Sequence, residues 1–413
     1  MVLNSFSNLA FLTSVLVISL HLPHRALSSS HGGFLLEDKV ARPPAAGMCA
    51  AAAATLHGYK CQEFQVTTDD GYILSVQRIP EGRTRVRRGH IRPPVLLQHG
   101  ILVDGMTWML NTPQQSLATV LADNGFDVWI SNTRGTRFSR RHLTLDPTDP
   151  EYWNWTWDEL VTHELPSIIG FVFKQTGHKI HYVGHSMGTL IALASLSNRK
   201  LHNVKSAALL SPVAYLTHMK TDLGIVAANV FVGEILTTMF GMAEFNPKGD
   251  AVAMFLNALC AGSGLNCYDM LTVLTGKNCC LNASTVHTTL KNEPQPTATK
   301  NLVHFAQTFR YGVLSKFDYG NANFEHYGES TPPVYNLSNI RRDFPLFLSY
   351  GGQDALSDVQ DVATLLEILK PHKKDKLQVQ YIKHYAHVDF VLGTTAKDIV
   401  YNQIIAFFRR HNK

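Results

Sequence analysis

Only 17% of the 413 residues are charged while 45% are hydrophobic, a balance that excludes a disordered chain and allows a large core in one big domain or two smaller ones. There is no C-x-x-C pair, which removes the zinc ribbon and the dithiol redox motif. There is no H-E-x-x-H helix. His181 and His185 are four apart but span a strand and a turn, so a zinc hydrolase is excluded too. Neither G-x-x-x-x-G-K-[ST] nor G-x-G-x-x-G occurs, so phosphate-loop and dinucleotide chemistry have no anchor. No segment beyond the first twenty residues has the length and apolarity of a transmembrane helix. The net charge of +5 is confined to residues 78–92, where Arg78, Arg83, Arg85, Arg87, Arg88 and Arg92 face only Glu81. No aromatics are interleaved there to stack on bases, which excludes a nucleic-acid partner. The run reads as a solvated loop between strands, with contact to an anionic lipid surface or a polyanion as the alternative.

What is present begins at the N-terminus. Residues 9–20, LAFLTSVLVISL, are too short to span a bilayer, and small residues at Ala26 to Ser28 offer a cleavage point, so residues 1–28 read as a signal peptide. Six cysteines and three N-x-S/T acceptors, at Asn154, Asn282 and Asn336, agree with an oxidising, glycosylating compartment on the secretory pathway. Cys49 and Cys61 lie close enough to pair. Cys260, Cys267, Cys279 and Cys280 admit three pairings, which spacing does not decide.

Along the chain, Gln62 to Ile79 alternates about Asp70 and Gly71 and predicts a hairpin. Short apolar runs at Pro94–Gln98, Phe126–Ile130, Ile180–Val183 and Ala207–Leu210 then alternate with helical patterns, among them 157–175 and the Ala/Leu-rich stretch ending at Asn198. That order predicts an α/β class with a mostly parallel sheet and helices on both faces. It breaks over 217–338, which is helical with irregular stretches, and resumes at Pro345–Tyr350, a helix from Asp358 to Leu369, a strand at Leu377–Ile382 and a closing helix near Phe408. The expected organisation is a core in two parts, 29–216 and 339–413, interrupted by an inserted cap.

Gly184-His185-Ser186-Met187-Gly188 fits G-x-S-x-G between a predicted strand and a predicted helix. A turn that tight has no room for side chains at its glycines, and it lifts the Ser186 hydroxyl above the sheet at a helix N-terminus, where partial positive charge favours an oxyanion. A serine hydroxyl needs a base, and in this fold the acid precedes the base in the chain. His387, just past the last strand, and Asp354, after Tyr350-Gly351-Gly352, fit that order. His384 reads as still within the strand, Asp358 as a helix cap, and Asp389 as structural because it follows the histidine. The Met187 and Ile101 amides are the candidate oxyanion donors, with His99 a support for the second loop. This chemistry calls for neither metal nor cofactor.

Six strings occur in fixed order: Leu97 to Gly100 (LQHG), Asn132 to His142 (NTRGTRFSRRH), Tyr152 to Glu159 (YWNWTWDE), Gly184 to Thr189 (GHSMGT), Gly351 to Asp354 (GGQD) and Tyr385 to Phe390 (YAHVDF). Together they resemble the acid lipase family of gastric and lysosomal lipases, its plant branch most closely, from about Cys49 onward. The resemblance implies an α/β-hydrolase fold with a helical cap and a neutral-lipid ester as substrate. It also implies Ser186, Asp354 and His387 as triad and Met187 and Ile101 as oxyanion donors. Mammalian members usually carry Gln where this chain has Met187; a backbone donor is indifferent to that change. The apolar helical face Ile225, Val226, Val230, Phe231, Ile235, Leu236, Met239 and Phe240 reads as core packing or as a lid toward a lipid–water interface. A sterol-ester or small-ester hydrolase and a silent binding protein of the same fold are the rival readings.

Overall fold

The computed structural model describes residues 47–83, 91–229, 233–234, 236–237, 241–250 and 270–412. The signal segment 1–28, Arg85, Arg87, Arg88, Cys260 and Cys267 lie outside these residues, as do Val230, Phe231, Ile235, Met239, Phe240 and the side chain of Val226.

Eight strands form one sheet: β1 (Gln62–Thr67), β2 (Ile73–Ile79), β3 (Pro94–Gln98), β4 (Asp127–Ser131), β5 (Ile180–His185), β6 (Val204–Leu210), β9 (Leu346–Gly351) and β10 (Leu377–Ile382). Their order is β1-β2-β4-β3-β5-β6-β9-β10. The β1–β2 and β2–β4 pairs are antiparallel and all later pairs parallel. Every residue of β3, β4 and β5 is buried, as expected of parallel strands covered on both faces. Successive side chains go to opposite layers: Leu96, Trp129, Tyr182 and Leu209 enter one core, Val95, Leu97, Val128 and Val183 the other. The first layer is closed by helices α2 (Leu165–Thr176), α3 (Met187–Ser197) and α8 (Val359–Leu369), the second by α1 (Leu117–Asp123) and α9 (Asn402–Arg410).

Local chemistry sets the ends of these helices. Thr156 and Glu159 form a reciprocal cap, the Glu159 carboxylate accepting the Thr156 N–H at 2.6 Å. The wide turn Leu160–Glu164 then leads into Pro166, whose missing N–H a regular helix would have to forgo. Asp358 caps α8 by accepting the Gln360 N–H at 2.8 Å, as its position predicts.

Between β6 and β9 the chain inserts α4 (Asp222–Asn229), α5 (Met270–Thr275), α6 (Ala283–Asn292) and α7 (Thr299–Tyr311), with one small antiparallel ladder, β7 (Glu244–Phe245) with β8 (Thr297–Ala298). Among the described cysteines, Cys49 pairs with Cys61 and Cys279 with its neighbour Cys280. The Arg-rich segment is tied down at its described ends: Arg78 pairs with Asp127 at 2.8 Å, Arg83 with Asp123 at 3.1 Å and Arg92 with Glu81 at 3.5 Å.

His384 does not belong to a strand. β10 ends at Ile382, where the Ile382 carbonyl takes the Gly352 N–H, and His384 sits exposed in the turn that follows.

Candidate active site

The parallel register brings the ends of β3 and β5 side by side, Gln98 opposite Gly184, and those of β5 and β6 likewise, His185 opposite Leu210. The loops that leave the carboxyl ends of β3, β5, β9 and β10 carry the triad and oxyanion candidates, at the edge where open α/β sheets gather their ligands.

Ser186 stands between β5 and α3 with φ 55 and ψ −120, a conformation a side-chain-bearing residue adopts only when its surroundings enforce it. The enforcement is visible. A Cβ at Gly184 would lie 2.6 Å from the Gly188 carbonyl oxygen, and one at Gly188 only 2.5 Å from that of Gln98. Ser186 donates its N–H to Leu210 O at 3.1 Å and accepts that of Thr189 at 2.8 Å, so both flanks of the turn are fixed.

His387 Nδ1 lies 3.0 Å from each oxygen of Asp354. The Asp354 Oδ1 also accepts the N–H groups of Leu356 (2.9 Å) and Ser357 (2.8 Å), which fixes the carboxylate plane. Both residues are buried, and His387 Nε2 has no hydrogen-bond partner among the described residues. The imidazole is thus held from one nitrogen and open at the other, the arrangement a general base requires.

Sequence reasoning passed over His185, weighing it only as a metal ligand. Its Nε2 donates to the His387 carbonyl oxygen at 2.9 Å, and Ser211 Oγ donates to the same atom at 3.3 Å. Burial first, and the nearby His387 second, push the His185 pKa down to about 3, so its ring is neutral. The residue beside the serine therefore anchors the histidine's main chain. Only the through-space pairing of β5 with the β10 loop reveals this.

On the oxyanion side, Met187 is the first residue of α3, where amides have no intrahelical partner. Gly100 packs so closely that a Cβ there would come within 2.9 Å of Ser186 Cβ, which brings the Gly100–Ile101 peptide up to the serine. His99 does support this loop. Its Nε2 accepts the Thr133 N–H at 3.0 Å, which leaves Nδ1 to donate to Gly100 O at 2.7 Å. Burial lowers its pKa and keeps it neutral.

The insertion covers this side. Gln295 donates its N–H to Leu102 O at 2.8 Å, and a small cavity is lined by Ile101, Leu102, Met187, Pro296 and Thr297. Asn301 on α7 reaches Met187, its Nδ2 3.7 Å from the thioether sulfur.

Among the described residues, two groups bring metal-ligand atoms within 4.8 Å of one another, Asp69–Asp70–His163 and Cys279–Cys280–Asp389. In the first, Asp70 is committed to the buried Arg134 at 2.6 Å; in the second, the sulfurs are bonded to each other. Asn154, Asn282 and Asn336 are all exposed.

Residues 93–394 match the family model described as alpha/beta hydrolase fold, and residues 50–112 match the partial alpha/beta-hydrolase lipase region. The chain is 55% identical over 374 residues to triacylglycerol lipase 2 of Arabidopsis thaliana, covering 89% of each chain. It is 35% identical over 370 residues to human gastric triacylglycerol lipase, covering 87% of this chain and 90% of the relative. A solved monoglyceride lipase from Saccharomyces cerevisiae shares the fold with a TM-score of 0.54 at 14% identity, over 86% of this chain and 96% of that one. The chain is a lipase-type ester hydrolase, and it belongs to the α/β-hydrolase lipase family that holds the plant and gastric triacylglycerol lipases, as its motifs implied.

Proposed function

We propose that the protein is a triacylglycerol lipase that works through an acyl-enzyme on Ser186, with His387 as general base and acid and Asp354 as the residue that orients it. The observation that carries this is the His387 imidazole, fixed by Asp354 at 3.0 Å and left without a partner at a buried Nε2 on the loop that His185 ties to the serine's own turn. In the first step Ser186 Oγ attacks the ester carbonyl as His387 takes its proton, and the alcohol departs with that proton. In the second, water activated by the same imidazole releases the fatty acid. The Met187 and Ile101 N–H groups face the developing oxyanion, each donor of this kind being worth about 3 kcal/mol.

Residues 217–338 serve as a cap, supported by the contacts of Gln295 and Asn301 with the oxyanion loop and Met187. The substrate is a long-chain ester met at a lipid–water interface. The apolar N-terminal segment, the Cys49–Cys61 disulfide and the exposed sequons at Asn154, Asn282 and Asn336 support passage through the secretory pathway, with glycosylation at those asparagines and an extracellular or vacuolar destination. The test is hydrolysis of emulsified triacylglycerol, sterol ester and short-chain nitrophenyl ester, with Ser186→Ala as control. Triacylglycerol is expected to be the preferred substrate and the variant inactive on all three. Preference for sterol ester or for the soluble ester would overturn the substrate assignment.

A further inference from the structure

Asp389 is two residues past His387, fully buried, and has no cation beside it among the described residues. A buried carboxylate costs several kcal/mol unless donors surround it. Here the donors are three backbone amides: Ala386 N at 2.8 Å from Oδ2, Cys279 N at 3.1 Å from the same oxygen and Cys280 N at 3.1 Å from Oδ1. One belongs to the residue before His387. The other two are consecutive amides of the insertion, held side by side by the Cys279–Cys280 disulfide.

The turn that Asp389 grips, residues 275–280, touches both halves of the acid–base pair. The Thr275 carbonyl accepts the His387 N–H at 3.1 Å and also lies 3.5 Å from the N–H of Ala355, which follows Asp354. Asn278 Oδ1 accepts the Val388 N–H at 3.3 Å, and Thr394 donates to Cys280 O at 2.8 Å. Gly276 bridges to Asp354, and its fit admits no side chain: a Cβ would fall 2.1 Å from Gln353 O. The loops after β9 and β10 are thus referred to one shared carbonyl in a segment that neither loop contains.

We propose that Asp389 is a positioning residue: its carboxylate locks the 275–280 turn against the β10 loop and, through that turn, sets the relative placement of His387 and Asp354. This rests on the reading of Ser186, Asp354 and His387 as the triad. Misplacing reacting groups by an ångström costs up to about a hundredfold in rate, far more than the same shift costs in stability.

The experiment uses the full secreted protein and its Asp389→Asn variant. An amide of the same shape keeps one acceptor but turns an NH2 group toward amide donors. Active sites are counted by end-point labelling with a fluorophosphonate, and kcat and KM per labelled site are measured on a soluble short-chain nitrophenyl ester across pH. The expected result is near-complete labelling, kcat per site down about thirtyfold and KM within about twofold. A purely structural role would lower the number of sites and leave each one unaltered, so wild-type kcat per labelled site overturns the proposal. If Asp389→Asn yields no folded protein, Asn278→Ala removes a contact from the other side of the clamp. A threefold or so loss of kcat per site is then expected, and no loss overturns the proposal. Failure of the wild type to label, or equal labelling of Ser186→Ala, would instead strike the triad reading itself.

Discussion

His185 Nε2 lies 2.9 Å from the carbonyl oxygen of His387, joining the turn that carries Ser186 to the loop that carries His387. Replacing His185 by Phe puts a larger ring in a buried site and removes both this bond and the orphaned, buried Nδ1. The lost bond and the relieved nitrogen largely offset, so the larger ring sets the outcome, and a destabilisation of about 1–2 kcal/mol with a fall of a few degrees in melting temperature is expected. The His387 carbonyl oxygen keeps the weaker Ser211 contact in its place, and kcat should fall about tenfold. Calorimetry and steady-state kinetics on one preparation check both halves.

Asp354→Asn preserves shape and removes the charge that holds the Nδ1 proton. With Leu356 N and Ser357 N still donating to Oδ1, the amide nitrogen is turned toward His387 Nδ1 and selects the wrong tautomer. A loss of kcat of about three to four orders of magnitude with KM little changed is expected, measured on a soluble ester.

Gly188→Ala should fail for a steric reason unconnected with chemistry. Its Cβ would sit 2.5 Å from Gln98 O, with one side of that contact held in the sheet and the other in the first turn of α3. Destabilisation of at least about 2 kcal/mol is expected, read as a shift in denaturant midpoint or as absence of folded protein.

The contact between core and insertion carries a pH dependence. Asp158 accepts Tyr335 Oη–H at 2.7 Å and the Phe317 N–H at 2.8 Å, and burial raises its pKa from 3.8 to about 7. A carboxyl whose pKa is raised on folding binds more protons folded than unfolded between those values. Stability therefore declines as pH rises from about 4 to about 7, by an amount on the order of a few kcal/mol. Asp158→Asn mimics the protonated acid, so its unfolding midpoint should vary less over this window and exceed that of the wild type at pH 7.5. Denaturant titrations at several pH values decide it.

The parts of this molecule legible in its sequence are those that a local rule determines. Strands β3 to β6 show as apolar runs because both their faces are buried, and Asp358 shows as a cap because it precedes an amphipathic stretch. The elbow shows because its glycines answer to contacts four residues or a neighbouring strand away. β10, by contrast, lies at the sheet edge and is only partly buried, so its apolar run at Leu377–Ile382 marks its end weakly, and extending it to His384 overruns the strand by two residues. The anchoring by His185 and the clamp of Thr275, Cys279, Cys280 and Asp389 join residues about a hundred to two hundred positions apart. Their partners are backbone carbonyls and amides, which every residue possesses, so no side-chain pattern announces them.

The central claim is that Ser186 is the nucleophile, activated by His387. Its most direct test is peptide mapping after reaction with a fluorophosphonate. The account predicts one phosphonyl adduct, on the peptide bearing Ser186, formed quickly in the wild type, far more slowly in His387→Ala and not at all in Ser186→Ala. An adduct on another residue, or equal labelling rates in the wild type and His387→Ala, would contradict it.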